Sequence, residues 1–166
     1  MQPVVRRTWA PRGITPVQDQ WDRHDRLSVL SALSVSPRRR HLGLYWEIHR
    51  HNICGEHLVP FLRRLRRHLP RRLLLILDRW SVHRSAPLRR FTQRHRQRID
   101  LEWLPGYAPD LNPVEQVWNH AKYCDLPNVA PPDVDELDRL VYSSLAHTRS
   151  QQHLLRSFFR TAKLPL

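Results

Sequence analysis

The chain has 166 residues, 28 of them Lys or Arg against 15 Asp or Glu, for a formal net charge of +13. That length suits one domain with a single core, and 40% apolar residues with six Trp exclude a disordered tail. No apolar run approaches the roughly 20 residues of a membrane span, and no charged-then-apolar leader follows Met1, so a cytoplasmic protein is expected.

All of the positive excess lies in residues 1–100 and is carried by Arg; the two lysines are Lys122 and Lys163. Phosphate is contacted chiefly by Arg and Lys, so nucleic acid is the expected partner. The plain alternative is an Arg-rich surface that serves only solubility.

In chain order, Arg7–Ala10 reads as a short strand turning at Pro11-Arg12-Gly13. A polar connection follows with Asp19, Asp22 and Asp25, which precede a strand instead of ending one and so read as a solvated loop. Leu27–Val35 alternates as a half-buried strand, and Leu42–Ile48 is its neighbour beyond a basic turn, which makes an antiparallel meander. Within His51–Leu69 a helix buries Leu58, Phe61, Leu62, Leu65 and Leu69. Pro60 is tolerated only near a first turn, which allows a start as late as Val59. Arg63, Arg64, Arg66 and Arg67 project from this helix; phosphate contact and a merely solvated face are both open to them.

Leu73–Leu77 is a continuous apolar run, short enough for a strand covered on both faces, and Asp78 is where it emerges. Ser85–Arg98 reads as a basic helix with Leu88 and Phe91 inward, and Ile99–Leu104 as a strand with Ile99, Leu101 and Trp103 on one face. Asn112 is a good N-cap, Pro113 suits the first helical position, and Val114, Val117, Trp118 and Ala121 repeat at helical spacing. Glu115 then lies in the first turn on the polar side, and two roles stand open for it. It closes a capping box with Asn112, or it presents a carboxylate for chemistry. After a break at Pro127–Pro132, Asp133–His147 and Ser150–Ala162 read as amphipathic helices. Cys54 and Cys124 have no paired spacing, and sets such as His49, His51 and Cys54, or His120 and Cys124, lack a standard metal-site spacing.

Three stretches carry a resemblance: Asp78 followed by His83 at a strand end, the block Tyr107–Glu115 (YAPDLNPVE) running into a helix with Trp118, and Arg7–Gly13 (RTWAPRG). Together they resemble the DDE endonuclease domain of mariner-related bacterial insertion-sequence transposases, over nearly the whole chain, with 36 residues between Asp78 and Glu115. The resemblance implies an α/β, RNase H-like fold, a mixed sheet flanked by helices. Residues 1–126 would be the endonuclease core and 127–166 a helical extension packed on it.

It also implies chemistry. Phosphodiester cleavage and strand transfer in the family use two Asp and one Glu to hold two Mg²⁺ (or Mn²⁺) ions, about 3.5–4 Å apart in such sites. By motif match Asp78 is the second Asp and Glu115 the third acid. His83 would orient a phosphate or a metal-bound water, and Asn112 would cap the helix and hold Glu115.

The family's first Asp, on its first strand, and its helix-turn-helix have no counterpart here. Arg79 stands where the family has Asn, which should weaken metal affinity. The expectation is therefore a transposase catalytic fragment with its first strand missing, inactive alone. Its partners would be DNA (transposon ends and target), an upstream half or full-length transposase, or a second copy in a dimer. The alternative is a non-catalytic DNA-binding or regulatory remnant.

Overall fold

The computed structural model describes residues 7, 9–14, 26–164 and 166. The short loop between Val35 and Leu42 turns tightly, with Arg39 at φ 54°, and brings β1 (Ser28–Val35) antiparallel to β2 (Leu42–His49) in register from Ser28↔His49 to Val35↔Leu42. Alternation places Leu30 on one face of this hairpin and Val29 and Leu33 on the other, and both faces are used.

Helix α1 (Gly55–His68) follows directly. It begins earlier than Pro60 suggests, and Pro60 stands inside it. The physical reason is local. His57 and Cys54 form a reciprocal cap at the N-terminus, and Gly55 lets the helix start touch Ser85, whose Oγ would lie 2.2 Å from an added Cβ. That anchoring outweighs the backbone bond that Pro60 cannot make. Leu58, Phe61, Leu62 and Leu65 are buried.

Strand β3 (Leu73–Leu77) pairs in parallel with β4 (Ile99–Trp103), and α2 (Ala86–Arg94) connects them. The crossover helix puts Leu88 and Phe91 against α1, so Leu30, α1, α2 and Ile99 share one core with Leu75 and Leu77 at its edge. The continuous apolar run is nevertheless covered on one face only. Leu74 and Ile76 are 60% and 52% exposed, because the C-terminal helices pack on the β1–β2 hairpin instead. Coverage on both faces is thus corrected for the described residues.

Helix α3 (Pro113–His120) runs into a single π turn (Ala121–Asp125), tied down by Ser144 Oγ donating to Asp125 Oδ2 at 2.6 Å. Helices α4 (Val134–Ser150) and α5 (Gln152–Thr161) close the second core. There Leu27, Leu42, Leu44 and Val117 meet Val141, Leu145, Leu155 and Phe158. Gln152 joins them to the hairpin, accepting from Leu42 N–H at 2.9 Å and donating to Leu42 O at 2.8 Å.

Among the described residues the strands form two two-stranded sheets, and no ladder joins β1 to β3. The first strand expected, Arg7–Ala10, is not found among the described residues: Arg7, Trp9 and Ala10 lie in no strand, and Trp9 is fully exposed. The turn at Pro11–Gly13 is present, with Ile14 N–H on Pro11 O and Gly13 at φ 86°. Thr8 and the loop with Asp19, Asp22 and Asp25 lie outside the described residues. No described helix is long and apolar enough to cross a membrane.

Candidate active site

Where β3 ends, the chain leaves the sheet as Asp78 and folds straight into a 3-10 turn, Ser81–Arg84. The turn is short enough to bring its own residues back onto the strand end. Trp80 N–H donates to Asp78 Oδ1 at 3.0 Å, and His83 Nδ1 donates to the same oxygen at 2.6 Å. With Nδ1 committed, the neutral ring keeps Nε2 as an acceptor. The Trp80 ring stands edge-on to His83, with centroids 5.4 Å apart.

The second component arrives from the β4–α3 loop. A 3-10 turn at Pro109–Leu111 leads into Asn112, whose Oδ1 accepts Val114 N–H at 3.1 Å and so caps α3. The amide's other end, Nδ2, donates to Asp78 Oδ2 at 3.3 Å. Asn112 N–H is taken by Pro109 O at 2.9 Å and not by Glu115. The capping-box role for Glu115 is therefore not the one adopted.

Glu115 instead sits half-buried in the first turn of α3. Burial pushes its carboxyl above the ordinary value of 4.5, the negative charge of Asp78 adds to the rise, and Lys122 opposes both. Two hard carboxylates are thus held near one another with their repulsion only partly offset by Lys122, which is the donor chemistry a divalent cation of the Mg²⁺ or Mn²⁺ class fits. Arg79 does not fill that role among the described residues: its Nε donates to Leu104 O at 3.2 Å. Beside the site, Trp80, Trp118 and Lys122 join Ser28, Val29, Asn52 and Ile53 around an open cleft of about 410 Å³.

The structure thus gathers Asp78, His83 and Asn112 into one bonded set, with Glu115 coupled to it through charge. The four arginines of α1 fare differently. Arg64 is paired with Glu47 on β2, Arg66 is half-buried, and Arg63 and Arg67 are exposed. Reading the sequence gave Trp80 no place at the site and named Tyr107 only as the start of the motif block. Tyr107 is fully exposed at φ 56°, a conformation costly for an aromatic residue, which the preceding Gly106 hints at only weakly. His120 is paired with Asp125, and Cys124 is an exposed free thiol, so they form no metal site together.

Comparison with known proteins identifies the family and the fold. The DDE superfamily endonuclease model matches residues 1–138. The fold is similar to the Mos1 strand transfer complex, at TM-score 0.62 and 15% identity, covering 98% of this chain and 47% of that one. It is similar also to the Mos1 mariner paired-end complex with Mn, at TM-score 0.62, 16% identity and coverages of 98% and 48%. The Mos1 transposase paired-end complex with left transposon end gives 0.60 and 16%, with the same coverages. The chain spans about half the length of these Mos1 chains. No curated protein matches the sequence. The fold is RNase H-like, and the chain belongs to the DDE superfamily endonucleases.

Proposed function

We propose that this chain is the catalytic-domain part of a DNA transposase, with Asp78 and Glu115 as two of the three carboxylates that hold divalent metal for cleavage and strand transfer. The observation that carries the reading is the Asp78–Asn112 bond, which ties the end of β3 to the cap of the helix bearing Glu115. Two acids far apart in sequence are thereby set on facing element ends. Asp78 and Glu115 would hold Mg²⁺ or Mn²⁺, which when bound activates a water or 3′-hydroxyl and stabilises the leaving oxygen. His83, oriented through Nδ1 by Asp78, offers Nε2 to a phosphate-bound water, and Asn112 keeps both carboxylates in place. The structures of Mos1 with transposon ends support DNA as the partner, and Arg63 and Arg67 are the exposed cations of α1 suited to phosphate.

The third carboxylate lies on neither of these elements. Among the described residues β1 and β3 each keep an edge without a strand partner, the kind of edge to which a further strand adds. Helices α4 and α5 serve as a helical extension of the endonuclease core. The same open edges also favour a second reading, a non-catalytic partner that pairs with a full-length copy.

A plasmid-nicking assay tests the proposal. The purified 166 residues with Mg²⁺ or Mn²⁺ should bind DNA and cleave it negligibly. Vigorous cleavage that survives Asp78→Ala with Glu115→Ala would overturn the site assignment. Repression of a full-length enzyme, unchanged by the same double substitution, would favour the second reading.

A further inference from the structure

Three imidazoles meet where β2 runs into α1, on elements that do not carry the candidate carboxylates. His49 ends β2, His51 lies in the connection, and His57 is in the first turn of α1. One ligand nitrogen from each lies within 4.8 Å of the others. His51 Nε2 is 3.0 Å from His57 Nε2, close to the roughly 3.3 Å between nitrogens that share a tetrahedral zinc ion. His49 Nε2 is buried without a hydrogen-bond partner among the described residues. Glu47 Oε2, 3.6 Å away, is too far to bond it, and Glu47 is already paired with Arg64.

His57 also carries part of the α1 cap. Its Nδ1 accepts Cys54 N–H at 3.0 Å and lies 3.2 Å from Cys54 Sγ. Ligation through Nε2 would move the ring proton to Nδ1, so the bond from Cys54 N–H has to give way, with Cys54 Sγ the acceptor left in reach of the new N–H. A packed trio of histidines on a polar surface would explain the ring contacts, with centroids 4.7 to 5.2 Å apart. It would not explain why a buried ring nitrogen is aimed into the cluster with nothing to bond.

We propose that His49, His51 and His57 bind one divalent cation of the zinc class, leaving the fourth position to water or an exogenous ligand. Imidazole donors select borderline metals, whereas the Asp78–Glu115 pair is suited to hard cations, so the two sites take different ions. Bound metal would join β2 to the start of α1 and order the intervening segment. Asn52 and Ile53 of that segment line the cleft shared with Trp80, two residues beyond Asp78.

Metal-free protein is titrated with Zn²⁺ by calorimetry and with Co²⁺ by visible absorption, in excess Mg²⁺. The expected result is one Zn²⁺ per chain at micromolar affinity or tighter, and the intense visible bands of tetrahedral Co²⁺. His51→Ala removes an exposed ring, should keep the wild-type circular dichroism, and should weaken Zn²⁺ at least about tenfold. Asp78→Asn with Glu115→Gln should leave Zn²⁺ binding unchanged. No Zn²⁺ uptake by the folded protein, full affinity in folded His51→Ala, or loss of binding in the carboxylate variant would each overturn the proposal. None of these results depends on transposase activity.

Discussion

Asn112 Nδ2 donates to Asp78 Oδ2 at 3.3 Å while the same side chain's Oδ1 accepts Val114 N–H at 3.1 Å. One amide therefore positions a strand end and starts a helix, so stability and site geometry share a single residue. Asn112→Ala should cost about 1 kcal/mol in urea denaturation through the lost cap. Asn112→Ser should restore most of that, since a short hydroxyl still caps but cannot span to Asp78. Both variants should bind Mn²⁺ more weakly. Wild-type Mn²⁺ affinity in Asn112→Ser would mean that the contact with Asp78 does not matter.

Glu115 makes stability depend on pH in a direction opposite to that of a salt-bridged acid. Its folded pKa is raised above 4.5, by burial first and by Asp78 second. Between the unfolded and folded values the folded state holds a proton that the unfolded chain releases. Without metal, stability should therefore fall as pH rises through that window, with the penalty complete above the folded value. Glu115→Gln should flatten this segment of a melting-temperature profile and stabilise the metal-free protein at neutral pH. An unaltered profile would show that Glu115 is solvated.

Of the four arginines of α1, Arg63 and Arg67 are exposed and Arg64 is engaged by Glu47. Alanine at Arg63 or Arg67 should weaken binding to any duplex and lower the slope of log K against log salt by about 1 each. Arg64→Ala should change the slope less and loosen α1 on β2, by about 1 kcal/mol for a pair whose arginine is half exposed. Equal slopes in all three variants would remove α1 from the DNA interface.

Pro60 lies inside α1 and is exposed, so its ring can be removed without opening a cavity. Pro60→Ala should stabilise the fold by about 1–3 kcal/mol, reduced by the roughly 0.4–1 kcal/mol that proline gains by restricting the unfolded chain. A less stable variant would indicate that the proline bend fits α1 to the sheet.

The parts legible in the sequence were those set by neighbouring residues. The alternation in Ser28–Val35, the Asn112-Pro113 start of α3 and the acid-rich first turn of α4 each encode their element locally, and each formed there. What was not legible depended on contacts across the fold. Leu73–Leu77 looks like a strand buried on both faces, but no neighbouring run of letters states that α4 and α5 choose the other sheet. The start of α1 was obscured by Pro60, because the decisive contact is between Gly55 and Ser85. His49 and His51 were visible as potential donors, yet their companion is His57, brought in by the helix turn, and not the nearer Cys54. At the candidate site, the family resemblance pointed to Asp78, Glu115, His83 and Asn112, whereas the choice between capping and free carboxylate for Glu115 turned on Pro109 O taking the Asn112 amide.

Whether Asp78 and Glu115 form one metal-binding unit is tested most directly by a Mn²⁺ titration followed by electron paramagnetic resonance. Wild-type protein should bind Mn²⁺ more tightly as pH rises through the Glu115 transition, and Mg²⁺ should displace it. Asp78→Asn and Glu115→Gln should each abolish that binding, and the double variant should add nothing further, as expected for two ligands of one ion. Additive, independent losses, or Mn²⁺ binding that persists in the double variant, would contradict the account.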